Sequence, residues 1–178
     1  MRFSIITILS YAFFLLLPAT GYAQKIEQER RVVKEKVSLS IRKALEKDYS
    51  GHKRMRYYEE RNETGRFFEA KFCYQRSRYS VKYDTLGHLV EVERKIRLRQ
   101  IPAPAYGKIS EYFQEHFQRY SVRKVQERLY RGNLIGYEAE LQGKTAEGMG
   151  YFEVQFDTSG QLERIRPIIQ TPQDFIFF

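Results

Sequence analysis

The sequence is short of almost everything that marks an enzyme. In 178 residues there is one cysteine, Cys73, and three histidines, His52, His88 and His116. A lone cysteine excludes an internal disulfide, and an exported domain of this length builds a core large enough to do without one. Cys73 sits in the run Phe68-Glu69-Ala70-Lys71-Phe72-Cys73-Tyr74 and reads as a small packing residue in a strand, with no histidine near it in sequence. The histidines fall in a post-helix turn, a hairpin and a helix. No pair has metal-ligand spacing, and no cysteine or carboxylate cluster completes a set. There is no Gly-x-Ser-x-Gly and no Cys/His pair at a recognised catalytic spacing. Gly143-Lys144-Thr145 lacks the upstream glycine of a phosphate loop and reads as a hairpin turn. These absences leave no catalytic, cofactor-binding or metal-binding residue to assign, and the expectation is a protein that is not an enzyme.

Long apolar runs are also missing, apart from one at the start. Met1-Arg2 is a short positive beginning, positions 5–17 are apolar, Pro18 breaks the run, and Gly21-Tyr22-Ala23 places small residues where a signal peptidase reads them. The run is short for a membrane span. The expectation is a signal peptide over 1–23, cleaved after Ala23, and a periplasmic or secreted chain of 178 − 23 = 155 residues with no transmembrane segment. Gln24 follows the cleavage point, where a lipoprotein would need cysteine.

Acidic residues are outnumbered. The chain has 31 Lys and Arg against 22 Asp and Glu, a net +9; without Arg2 the balance is 30 − 22 = +8. Such a balance favours partners with acidic surfaces: a protein of the envelope, or anionic lipid or glycan. Nucleic acid is not an expected partner outside the cytoplasm.

What is present is a repeat. Tyr83-Asp84-Thr85-Leu86-Gly87-His88-Leu89 returns as Phe156-Asp157-Thr158-Ser159-Gly160-Gln161-Leu162. Phe68-Glu69-Ala70-Lys71-Phe72 returns as Tyr137-Glu138-Ala139-Glu140-Leu141, and the helix-spaced Val37, Ile41 and Leu45 return as Ile109, Phe113 and Phe117. Three matches in one order indicate two copies of a supersecondary motif. In the first, an apolar stripe at Val37, Ile41, Leu45 and Tyr49 predicts a helix that ends at Ser50-Gly51, with the highly charged segment 24–36 either extending it or staying frayed. A basic aromatic strand over 53–60, the turn Asn62-Glu63-Thr64-Gly65, and period-two alternation through Phe68–Tyr74, Tyr79–Tyr83 and Val90–Val92 then predict an antiparallel meander. In the second, Ile101-Pro102-Ala103-Pro104-Ala105 reads as a stiff linker. A helix striped by Ile109, Phe113, Phe117 and Tyr120 follows, then strands over 122–130, 137–141, 152–156 and 162–165. The predicted fold is α+β: two tandem αββββ units over 24–100 and 101–178, each a helix packed on its own antiparallel meander sheet. The apolar tail Asp174-Phe175-Ile176-Phe177-Phe178 is expected to pack on the body.

Tyr79-Ser80-Val81-Lys82-Tyr83-Asp84-Thr85-Leu86-Gly87-His88-Leu89, its counterpart Phe152 to Leu162, and the Ile101-Pro102-Ala103-Pro104 segment leading into a helix together resemble the PepSY-like family of exported bacterial proteins, across residues 37–168. That family's fold is similar to the tandem-repeat β-lactamase inhibitor protein. The resemblance implies a binding module that restrains proteases or other envelope proteins, and it carries over no catalytic residue. The chain departs from the family's commoner acidic balance by being basic.

The expected partner-binding surface is the sheet face left uncovered by the helices, together with the basic stretch Arg94-Lys95-Ile96-Arg97-Leu98-Arg99. Lys71, Lys82, Lys95, Arg97 and Arg99 are the candidate residues. Arg54, Arg56, Arg76 and Arg78 lie among Tyr57, Tyr58, Tyr74 and Tyr79, and Arg with Tyr is the pairing protein interfaces favour. A concave sheet face would suit a folded partner, with the basic rim speeding association.

Overall fold

The structure is a computed structural model that describes residues 28–168. The expected signal peptide over 1–23 and the apolar tail over 174–178 lie outside the described residues.

The two separate sheets expected from the repeat are not formed. Nine strands join in a single antiparallel sheet whose spatial order is the chain order: β1 (Gln28–Val32), β2 (Lys53–Asn62), β3 (Gly65–Tyr74), β4 (Ser77–Asp84), β5 (Leu89–Ile96), β6 (Arg119–Tyr130), β7 (Asn133–Thr145), β8 (Gly148–Phe156) and β9 (Leu162–Pro167). Among the described residues two α-helices interrupt the strands, α1 (Leu39–Asp48) and α2 (Ala103–His116). The reason is the outer edge of β5. In a closed first unit its backbone N–H and C=O groups would face solvent, whereas here they pair with β6, from Val92 opposite Leu129 to Ile96 opposite Val125. β1 has the same relation to β2 that β5 has to β6. Its sequence, Gln-Glu-Arg-Arg-Val, carries no apolar alternation, which is why the pattern gave no strand there.

Both helices lie on one face. Ile41 and Leu45 of α1 close over Ala70, Phe72, Val81, Tyr83 and Val92. Ala105, Ile109 and Phe113 of α2 close over Val125, Tyr137, Ala139, Leu141, Val154 and Phe156. Val92 and Ile96, two side chains on the same side of β5, join the first and second of these cores respectively. The core is therefore one layer with two centres.

Local chemistry explains the ends. Ser38 caps α1, its Oγ accepting the Ile41 N–H at 3.3 Å. The Ile101–Ala105 segment is not a linker: Pro102 precedes the first turn of α2 and Pro104 lies within it, where a missing N–H costs nothing. Both helices end alike, Tyr49 N–H bonding Leu45 O and Phe117 N–H bonding Phe113 O. Structurally Leu45 thus corresponds to Phe113, one turn from the pairing the sequence suggested, and α2 is longer by a turn. Tyr120 belongs to β6, not to the helix. Gly143 is inside β7 rather than at a turn; a Cβ there would lie 2.4 Å from the Phe117 ring.

Candidate functional site

Antiparallel strands place alternate side chains on opposite faces. Six strands carry a core residue flanked by polar ones: Glu69-Ala70-Lys71, Ser80-Val81-Lys82, Glu91-Val92-Glu93, Lys124-Val125-Gln126, Glu138-Ala139-Glu140 and Glu153-Val154-Gln155. The registers align the central residues, Ala70 with Val81 with Val92 and Val125 with Ala139 with Val154. The flanking residues are thereby brought together on the face away from the helices, around a cleft of about 540 Å³.

The cleft is not simply basic. Seven carboxylates line it, Glu29, Glu60, Glu69, Glu91, Glu93, Glu138 and Glu140, against seven cations, Arg54, Arg56, Lys71, Arg78, Lys82, Lys124 and Arg166. Three of these carboxylates are deeply buried, Glu60, Glu69 and Glu138 at 3%, 6% and 4% exposed, as is neighbouring Glu153 at 1%. Burial of that kind requires partners. Lys82 Nζ reaches Glu60 at 2.8 Å, and Lys124 Nζ reaches Glu140 at 2.7 Å. Arg128 donates to Glu91 and Glu163, each at 2.7 Å. Glu138 accepts from the amides of Gln126 at 3.0 Å and Gln155 at 2.9 Å, and Arg166 pairs with Glu153. Lys71 bridges Glu29 and Glu69 while lying 4.9 Å from the Tyr58 ring centre.

These contacts set the proton affinities. Burial works against the charged Lys71 amine, but the Glu69 and Glu29 carboxylates outweigh it and raise the amine above its ordinary range. Burial pushes Glu69 up, yet Lys71, the Ser80 hydroxyl and Lys82 together hold it below the usual carboxylate range. Glu93 goes the other way: burial raises it, Glu69 and Glu91 add to the rise, and Lys124 offsets only part of it. Glu93 receives no hydrogen bond and forms no ion pair among the described residues.

Of the five residues expected to bind a partner, Lys71 and Lys82 line the cleft. The other three do not. Lys95 is exposed at the end of β5, opposite Gln126. Arg97 lies just beyond that strand and Arg99 lies in the 3₁₀ turn Leu98–Gln100, so the alternation that would have put all three on one face ends at Ile96. Tyr57, Tyr74 and Tyr79 pack toward the α1 core, while Tyr58 is on the cleft side. The carboxylate half of the cleft was missed; its signal was the polar–core–polar triplet, in which the acids alternate with core residues as regularly as the bases do. A second hollow, about 1090 Å³, lies beside α1 and is walled by Arg31, Val32, Lys34, Leu39, Arg42 and Tyr57 among others. Among the described residues no group of three His, Cys, Asp or Glu side chains could hold a metal ion, and no helix is long and apolar enough to cross a membrane.

The helix-backed sheet has solved counterparts in fold. The fold is BLIP-like. A BLIP-like protein from Bacteroides fragilis superposes with a TM-score of 0.56 at 14% identity, over 75% of this chain and 88% of that one. A DUF2874 family protein from Bacteroides uniformis gives 0.57 at 14% identity, over 79% and 99%. A Bacteroides eggerthii structure whose description places it among periplasmic proteins gives 0.57 at 14% identity over the same shares. No family model matches the chain. No curated protein matches it either. At these identities the likeness is one of fold.

Proposed function

We propose that this protein is an exported, non-enzymatic binding module that docks a folded envelope protein in the cleft of its open sheet face and restrains it there. The observation that carries the reading is the cleft itself: a wide polar floor with seven carboxylates and seven cations held in fixed positions by a nine-stranded sheet. Fixed charges of both signs discriminate among protein surfaces, because a mismatched partner meets like charge or leaves a buried ion unpaired. The BLIP-like fold and a neighbour described as periplasmic support the same reading, as does the export-type start of the sequence. Lys95 at the end of β5, with Arg97 and Arg99 just beyond it, acts on approach, speeding association with an acidic surface. Anionic lipid or glycan is the second reading, favoured by the cations Arg31, Lys34, Arg42 and Lys43 around the hollow beside α1.

Cys73 offers the test. It is the sole cysteine, half-buried, and lines the cleft. Alkylating it with a bulky maleimide should block capture of a protein from envelope extract. The control is a Cys73→Ser, Glu111→Cys variant alkylated on exposed α2, which should still capture it. Equal capture by both would defeat the cleft reading. Reversing Lys95, Arg97 and Arg99 together should slow association and flatten its salt dependence, with little change in dissociation rate; unchanged salt dependence would remove those residues from the surface.

A further inference from the structure

We propose that the cleft recognises its protein partner by an ordered charge pattern: the partner offers a lysine or arginine side chain to Glu93, and carboxylates to the end of the cleft formed by Arg54, Arg56 and Arg78. The proposal rests on the reading of the cleft as a protein-docking face.

The pattern follows from which charges are already answered. Of the seven carboxylates lining the cleft, six have a hydrogen-bonding or ionic partner in place. Glu93 has none among the described residues, although donors surround it. Ser80, directly opposite on β4, gives its hydroxyl to Glu69. Arg128, opposite on β6, is turned to Glu91 and Glu163. Lys124 is held by Glu140 and Lys82 by Glu60. Each neighbouring cation is held in an ion pair elsewhere, so Lys124 and Lys82 offset only part of the Glu93 charge, and its carboxylate stands as a recessed negative charge that a partner's cation would complete. Its raised proton affinity is what such a position produces.

The opposite sign collects at one end. Arg54, Arg56 and Arg78 are exposed, and none of their side chains has a hydrogen bond or ion pair among the described residues. The registers put them together: Arg56 opposite Lys71, Lys53 and Arg78 both opposite Cys73. A β-bulge between Lys53 and Arg56 shapes this end, and Arg54 there has φ 59, a left-handed conformation that residues other than glycine seldom adopt. Arg56, Lys71, Ser80 and Glu93 lie on one rung across β2 to β5. Three strand steps separate Arg56 from Glu93, roughly 14 Å, a spacing that one face of a folded protein spans. A polyanion would satisfy the arginines but meet Glu93 as a repulsion; a protein surface carries both signs.

The probe is the purified protein that the wild-type chain retains from envelope extract, with affinity measured by calorimetry. Glu93→Gln, which keeps the shape, should weaken binding at least tenfold. Arg56→Gln with Arg78→Gln should remove much of the salt dependence. Arg54→Gly should weaken binding while leaving thermal stability equal or higher, since glycine accepts the left-handed backbone. A purely structural role for Arg54 would instead lower stability. If Glu93→Gln binds as tightly as wild type while alkylated Cys73 still blocks capture, this proposal falls and the docking reading stands. If alkylation does not block capture, or the extract yields no protein, both fall. Binding that Glu93→Gln strengthens and moderate salt abolishes would mean a polyanion, and concentration-dependent self-association lost on alkylation would mean a second copy; either overturns the proposal.

Discussion

Glu69 and Glu93 face the same cleft two strands apart and are pushed in opposite directions. Glu69 is held below the carboxylate range because burial is outweighed by Lys71, the Ser80 hydroxyl and Lys82. Its contribution to stability is present above the unfolded value and is lost as pH falls through the lower folded value. Glu93 is raised, first by burial and then by Glu69 and Glu91. Its sign is reversed: the protonated form suits the fold, so the contribution is complete below the unfolded value and is lost as pH rises through the folded one. At neutral pH Glu93 is therefore a cost. Glu93→Gln is expected to stabilise the free protein by at most about 1 kcal/mol, because the half-buried Glu93 carboxylate has no hydrogen bond or ion pair among the described residues. That corresponds to about 3 °C in a chain of this size. The gain should shrink as pH falls into the ordinary glutamate range. Thermal melts at several pH values check this, and a neutral-pH loss of stability would contradict it. Higher stability with weaker binding is the trade expected of a residue kept for a partner.

At the scale of elements the two hairpins were the most legible part of the sequence. Asp84 Oδ1 accepts the Leu86 and His88 N–H groups, and Asp157 Oδ1 accepts those of Ser159 and Gln161, with Gly87 and Gly160 at φ 91 and 83. Short-range turn chemistry is written in the residues themselves. The glycines are nonetheless unequal. A Cβ at Gly87 would lie 3.1 Å from the movable Ser40 hydroxyl, whereas at Gly160 it would lie 2.4 Å from the Ala105 carbonyl in α2. Gly87→Ala should cost about 1 kcal/mol, the left-handed penalty alone. Gly160→Ala should cost roughly 3 kcal/mol, because backbone must also move. Urea titration of both variants separates the two, and equal losses would deny the contact with α2. The start of α2, the end of its stripe and the strand β1 were less legible. Pro102-Ala103-Pro104 serves a linker or a first helical turn equally well. Tyr120 keeps helical spacing although the chain has turned into β6.

For the whole molecule, the feature hidden from the sequence was the union of the strands into one sheet. Local periodicity says which residues alternate, but not whether the outer edge of β5 meets solvent or β6; that depends on a pairing between Ile96 and Val125, 125 − 96 = 29 positions apart. The cleft was half legible for a related reason. Lys71 and Lys82 stood out in a basic chain, while Glu93 becomes distinctive only when every neighbouring donor is seen to be occupied. A shared sheet also predicts shared unfolding. Calorimetry should give one transition with calorimetric and van't Hoff enthalpies in agreement, and Arg94→Pro, placed in β5 between two strands, should lower that single transition rather than split it. Two separable transitions would mean that the two cores unfold independently.

Strand order that equals chain order also governs time. Of the eight strand pairings, six are closed by hairpins and two span one helix each. Loop closure costs little before each pairing is rewarded. The sheet can zip outward from the Asp84 and Asp157 turns at once, and folding on the order of milliseconds follows, where β proteins with distant pairings take up to seconds.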